Sequence, residues 1–296
     1  MEIKLLKTFL TVAKVESFSR SAEILDYAQS SISAQIQLLE EDLETKLFER
    51  LGRKIKLTAE GRKLLIYAEQ MLKLDAEARE IISDSPLPKG TLRIGASESL
   101  CISYLPPLLK EYRRRYPEVE IILKLGGASE LCCWLMENSI DIAFYMDRQI
   151  SSEMLTAETL FDEAMVVLAA AEHQIVDRIP INPADLNGMD LILTESGNSY
   201  RVVMEGILAE AAIRLGSVME CGSIEAIKKL VISGLGITLL PRVVVEEELH
   251  KGQLIDLKWQ GPDFQIKNQV VYHKNKWLTR ALKAMMELVH EVYTIN

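Results

Sequence analysis

The chain has 296 residues, 48% hydrophobic and 26% charged, enough to bury a sizeable core and to build two or three domains. A net charge of −9 excludes a global basic field as the source of any nucleic-acid affinity. No apolar run approaches the roughly 18 residues of a membrane span, and the first residues, MEIKLLKTFL, lack the cationic start and unbroken apolar core of a signal peptide.

Leu6, Phe9, Leu10 and Ala13 form an apolar stripe on a first helix. Ser17 to Leu43 then carries two short amphipathic helices. Phe18, Ala22 and Leu25 share one face of the first, and Ile32, Ile36, Leu39 and Leu43 one face of the second, with a turn at Asp26 and Tyr27. Ser19 is expected to cap the first of these and Ser30 the second. The second opens with the small polar residues Gln29, Ser30, Ser31 and Ser33 and closes on Glu40, Glu41 and Asp42, so it can enter a DNA groove only by its N-terminus. Residues 1–61 hold nine Lys/Arg against ten Asp/Glu, a net of −1, yet residues 46–56 hold five cations and one acid. Arg50, Arg53, Lys54 and Lys56 cluster around Gly52 on a hairpin that reads as a wing, with cations placed for phosphates.

These words, SFSRSAEIL, QSSISAQIQLLE, LFER and LTAEG in that order and spacing, resemble the winged helix-turn-helix of the LysR-type transcriptional regulators. The likeness runs through the whole chain. It implies an N-terminal all-α winged helix-turn-helix domain (1–61) followed by a two-lobed α/β domain similar to a periplasmic binding protein. It further implies a cytoplasmic homodimer or homotetramer whose partners are double-stranded DNA, a small-molecule effector and RNA polymerase, with no cofactor. On that resemblance Ser30, Ser31, Ser33 and Gln35 face base edges or nearby phosphates, beside Ser19, Arg20 and Gln29, and Arg50, Arg53 and Lys54 contact the backbone. The family often has arginine where this chain has Ala34 and a basic residue where it has Gln37. The second helix therefore carries no positive charge of its own, and affinity is expected to rest on the wing.

Thr58 to Ser83 reads as one long helix capped by Thr58. Leu64, Ala68, Met71, Asp75, Ala78 and Ile82 recur at spacings of four and three, a seam that suits pairing with a second copy. Residues 84–90, with two prolines, read as a hinge. From Thr91 strands and helices alternate: TLRIGA, VEIILKL and IDIAFY as strands with helices between them, then AMVVLAA, DLILT and ITLLP, and last IKNQVVYH with a closing helix. The expected lobes are 91–162 with 266–296, and 163–265.

Four loops are expected at the cleft between the lobes: GASESL, GGASEL, TESGNSYR and CGSIEA. Helix N-termini and hydroxyls there suit a carboxylate or other anion, reinforced by Arg201. By the resemblance Ser99, Ser129, Thr194 and Ser199 are carried over as effector contacts, with Ser97, Tyr200 and Ser223, while Ala128 lacks a hydroxyl the family often has.

The four histidines are scattered and no nucleophile elbow or P-loop is present, so neither catalysis nor a metal site is expected. Cys101, Cys132, Cys133 and Cys221 lack metal-ligand spacing and read as small buried hydrophobes. Two alternatives stay open: a ligand-binding protein without sequence-specific DNA binding, and a regulator answering to oxidation at Cys132 and Cys133.

Overall fold

A computed structural model describes residues 1–51, 54–82 and 87–293. The chain divides into two compact units, Met1–Pro86 and Leu87–Asn296.

The smaller unit is built from α1 (Ile3–Val15), α2 (Phe18–Leu25), α3 (Gln29–Asp42), the antiparallel strands β1 (Phe48–Leu51) and β2 (Lys54–Leu57), and α4 (Ala59–Ile82). Its core is Leu6, Phe9, Val12, Ala22, Ile32, Ile36, Leu39, Leu47 and Ala68. The helical stripes of the sequence converge there, as burial of one apolar face requires. Two expected caps are displaced. Ser17, not Ser19, caps α2 by accepting from the Arg20 N–H, and α3 starts after Ala28 with no side-chain cap, so Ser30 lies inside the helix. Thr58 does cap α4, its hydroxyl accepting from the Gly61 N–H at 2.9 Å. A Cβ on Gly61 would lie 2.2 Å from the Leu47 carbonyl oxygen, which accounts for glycine at the close of LTAEG.

The first half of the seam on α4 is not a free face. Leu64 and Met71 pack with buried Ala68 on this unit's own core. Among the described side chains of α4 the large exposed apolar ones are Ile66, Tyr67 and Leu74, which fall within about 100° of arc on another side of the helix. Glu40, at the acidic end of α3, is buried. One of its oxygens accepts from the Leu47 N–H at 2.9 Å and the Phe48 N–H at 3.3 Å, and the other from Lys46 at 2.6 Å. The carboxylate thus ties the end of α3 to the start of β1. Glu40→Ala leaves both N–H groups without their acceptor and is expected to cost the smaller unit about 1–3 kcal/mol. Circular dichroism of residues 1–86 during urea unfolding would measure it, and an unchanged midpoint would refute the role.

The larger unit contains β3 (Gly90–Ala96), α5 (Glu98–Ile102), α6 (Leu105–Arg115), β4 (Val119–Leu125), α7 (Ala128–Met136), β5 (Ile142–Asp147), β6 (Leu155–Asp162), β7 (Met165–Ala170), β8 (Leu191–Leu193), α8 (Ser199–Glu210), β9 (Val218–Glu220), α9 (Ile224–Ile232), β10 (Thr238–Pro241), α10 (Glu246–His250), β11 (Leu254–Asp256), β12 (Lys267–His273) and α11 (Arg280–Tyr293). One sheet has the order β4-β3-β5-β12-β6, with β4, β3 and β5 parallel and β12 antiparallel to both neighbours. The late strand β12 therefore returns to the first sheet. A second sheet is β10-β7-β11, beside the parallel pair β8-β9, with a bridge from Leu191 to Ile237 linking the two. Buried Val, Ile and Leu from both sheets form one continuous core. Gly90, the last residue of the expected hinge, opens β3.

Candidate functional site

Two features bring the expected residues together. The first is the outer surface of α2 and α3. Ser19, Arg20, Gln29 and Ser30 are exposed, and Ser31 and Ser33 half-buried. Gln29 donates to the Ser33 hydroxyl at 3.0 Å, which fixes both side chains on the first turn of α3. Gln35 is held from behind, its side-chain carbonyl accepting from the Thr8 hydroxyl at 2.6 Å, so its amide N–H groups are the part left to point outward. Ala34, Gln37 and Leu38 are exposed on the same helix, and Gln37 donates to Glu41. No cation lies on α3. Arg53, and the side chains of Arg50 and Lys54, lie outside the described residues, whereas Lys56 on β2 is exposed.

The second feature is a cavity of about 360 Å³ in the larger unit. Its walls are the loop entering α5, the loop between β4 and α7, the loop between β8 and α8, and the start of α9. Of the seven expected contacts, Ser97, Ser99, Thr194, Ser199 and Tyr200 line it. Ser129 is exposed and off the wall, so it does not replace the hydroxyl missing at Ala128. Ser223 stands just outside, its hydroxyl directed at Glu98 at 3.4 Å. Leu125, Leu131, Met146 and Ile224 supply an apolar floor.

Three residues of this lining each carry a buried polar atom with no protein partner. They are the hydroxyl oxygens of Ser97 and Thr194 and the side-chain oxygen of Asn198. Buried polar atoms are ordinarily hydrogen-bonded, so unpaired ones at a cavity wall point to a group that arrives from outside. Tyr200 is buried among them. Its phenol is pushed up to about 12, chiefly by burial and further by Glu195 and Glu98, while hydrogen bonds from Ser99 and Asn198 work the other way. It therefore stays a neutral hydroxyl at physiological pH.

The charge of the wall differs from the sequence expectation. Arg201, expected to reinforce an anion site, is held by Glu205 at 2.7 Å, Glu220 at 2.7 Å and the Thr194 carbonyl at 2.6 Å, and it does not line the cavity. Glu205 follows by i+4 and was visible in the sequence; Glu220 comes from β9, 19 residues away. Three carboxylates, Glu98, Glu130 and Glu195, do line it. Their residue types were in the four loops already, but a pattern of hydroxyls at helix starts drew attention away from them.

The cysteines also depart from expectation. Cys132 and Cys133 are exposed, and Cys101 and Cys221 half-buried, so none is a fully buried hydrophobe. Burial pushes the Cys101 thiol up to about 11. The Cys133 thiol is raised by its hydrogen bond to Glu137, the opposite of the thiolate stabilisation a reactive cysteine needs. Among the described residues no helix is long and apolar enough to cross a membrane, and no cluster of His, Cys, Asp or Glu could hold a metal ion.

Comparison with known proteins adds the following. Residues 3–62 match the family of bacterial regulatory helix-turn-helix proteins, lysR family, and residues 85–294 match the LysR substrate binding domain. The chain is 37% identical to an uncharacterized HTH-type transcriptional regulator, YwqM, of Bacillus subtilis over 294 residues, covering 99% of this chain and 100% of that one. It is 34% identical to the HTH-type transcriptional regulator GltR of the same organism, covering 100% and 98%. The crystal structure of full-length CbnR complexed with its target DNA has the same fold, with a TM-score of 0.72 at 22% identity, covering 98% and 99% of the two chains.

Proposed function

Because the chain belongs to the LysR family of DNA-binding transcriptional regulators, and is a regulator rather than an enzyme, we propose that a small molecule in the cavity of its larger unit modulates how it binds or bends DNA. The observation that carries this is the set of buried, unpartnered oxygens of Ser97, Thr194 and Asn198 around a 360 Å³ space. A space of that size suits a small metabolite. Ser99, Ser199 and Tyr200 complete the contact set.

The domain division that goes with this reading is a DNA-binding domain at 1–61, a linker and dimerisation helix at 58–83, a hinge at 84–90, and an effector domain at 91–296 with lobes at 91–162 plus 266–296 and at 163–265. Two copies pair through the linker helix. Ile66, Tyr67 and Leu74 are the apolar side chains that α4 leaves open to a partner. The paired first turns of α3 then enter two successive major grooves, as helix-turn-helix dimers do. Gln29, Ser30, Ser31, Ser33 and Gln35 read base edges or nearby phosphates with Ser19 and Arg20, while Arg50, Arg53 and Lys54 bind the backbone. The effector shifts the relative placement of these units by its differential affinity for two arrangements of the oligomer. The protein acts in the cytoplasm, as a homodimer or homotetramer, with RNA polymerase as a further partner. The expectation of an anionic effector is withdrawn, since its cation, Arg201, is committed elsewhere.

DNase footprinting of the full chain on DNA flanking its own gene, at two salt concentrations, tests the reading. Protection over several helical turns with hypersensitive bands inside is the expected result. Arg53→Ala should weaken binding to all sequences and lower the salt slope by about 1, whereas Ser33→Ala should mainly blur selectivity. No protection at low salt would favour a ligand-binding protein without sequence-specific DNA binding.

A further inference from the structure

We infer that the cavity of the larger unit takes a small molecule with an apolar body and a cationic nitrogen, an amine or guanidine, rather than a carboxylate. The inference rests on reading the cavity as the effector site and names the chemical class that it selects.

The first argument is charge. Glu98, Glu130 and Glu195 line the cavity, and among the described residues no lysine, arginine or histidine does. Arg201, which follows the lining residue Tyr200, is only 12% exposed at its side chain and is held by two glutamates and a carbonyl. An anion entering this space would meet three like charges. A cation would meet three opposite ones.

The second argument is that two of the helix starts at the cavity, those of α7 and α9, are already supplied by the chain itself. Glu98 accepts from the Ile224 N–H at 3.1 Å, so the start of α9 holds a carboxylate that reaches it from α5. Glu130 folds back to accept from the Gly127 N–H at 3.1 Å, at the start of α7. The donors at these two starts are thus spent on the protein's own acids.

The third argument comes from the orphaned atoms. Thr194 is 4% exposed, lines the cavity, and its hydroxyl oxygen has no partner. The Asn198 amide nitrogen donates to Glu195 at 3.3 Å, which leaves its buried oxygen turned the other way and able only to accept. A carboxylate brings no donor to that oxygen; an ammonium brings three and a guanidinium five. Asn198 and Thr194 therefore supply acceptors beside Glu195, and Leu125, Leu131, Met146 and Ile224 take the apolar part of the ligand.

Matched pairs of opposite charge and like shape test this by calorimetry on the full chain: benzylamine against benzoate, and 1,4-diaminobutane against succinate. At least one amine is expected to bind and neither acid. Glu195→Gln keeps the hydrogen bond to Asn198 and removes only the charge, so it should weaken the amine at least tenfold. Glu130→Gln provides a second variant should the first fold poorly, with urea unfolding followed by tryptophan fluorescence as the check. Binding of the acids without the amines overturns the inference and leaves the effector reading standing. Amine binding that neither variant weakens also overturns it, because the amine then sits elsewhere. Amine binding that the variants weaken, with an unchanged DNA footprint, supports the inference and removes the effector reading. Absence of binding by either class overturns the inference and leaves the effector reading standing.

Discussion

Phe9→Ala is expected to abolish sequence-specific DNA binding while leaving the larger unit's unfolding unchanged. Phe9 has no exposed surface and its ring centroid lies 5.4 Å from that of Phe48, which in turn lies 6.0 Å from Phe18. The three rings join α1 and α2 to β1, so the helix pair and the strand pair share one support. Removing a buried phenylalanine costs about 3–5 kcal/mol. A small domain has only about 5–15 kcal/mol of total stability, and this one rests on the nine residues of its core. The two units can be read separately because all three tryptophans, Trp134, Trp259 and Trp277, lie in the larger one. Tryptophan-detected urea unfolding should be superimposable on that of the unaltered chain, while gel shift on the footprinted site shows no complex. Retention of the complex would mean that α3 keeps its position without the aromatic support.

How far such supports can be read from sequence depends on the range of the interaction. The stripes of α1, α2 and α3 are local: Leu6 and Phe9, or Ile32, Ile36 and Leu39, must share a face once the segment is helical, and all five are buried. The caps were misplaced by a residue or two because the choice between Ser17 and Ser19 depends on where the first turn closes, and both are serines. The seam on α4 failed for a different reason. Periodicity shows that Leu64, Ala68 and Met71 face something, but not whether it is a partner or the chain's own α1. Three strands of the larger unit carry no alternation in the sequence. β9 and β11 have three residues each, with β9 exposed at all three, and β6, though eight residues long, is half-buried or exposed at every position after Leu155.

At the cavity the hydroxyls were legible and the charge was not. Loops that end strands in an α/β unit converge by topology, which is enough to bring Ser97, Ser99, Thr194, Ser199 and Tyr200 together. Ser129 sits one residue past the start of α7, and the helix turns it outward. The fate of Arg201 depended on Glu220, whose strand was itself unseen. A cation in a loop sequence therefore says little about a ligand's charge until its intramolecular partners are known. Glu98 makes the same point from the other side. A glutamate in the first turn of a short helix reads as a local dipole contact, yet it caps a helix 126 residues further on.

Asp141→Asn is expected to cost the larger unit about 3–5 kcal/mol, because it strands a buried charge. Asp141 and Lys276 meet at 2.7 Å with side chains only 6% and 4% exposed. Asp141 also accepts from the Arg93 N–H at 2.7 Å, a bond that the amide oxygen of asparagine can keep. What it cannot keep is the neutralisation of Lys276, which has little water to turn to. With a urea slope of about 2–3 kcal/mol/M, typical of a domain this size, the tryptophan-detected midpoint should fall by roughly 1–2 M. Adding Lys276→Met should restore much of that loss, since two neutral groups of similar volume no longer need each other. If the single and double variants unfolded at the same concentration, the pair would not be the source of the stability. The consequence reaches the cavity through α7. Lys276 also donates to the Asn138 side chain just beyond the end of that helix, and the start of the same helix, with Gly127, Ala128 and Glu130, is a cavity wall. A ligand bound by a wall held at both ends needs less ordering on arrival than one bound by a wall held at one. Asp141→Asn should therefore weaken cavity binding as well as stability, although Asp141 is absent from the cavity lining.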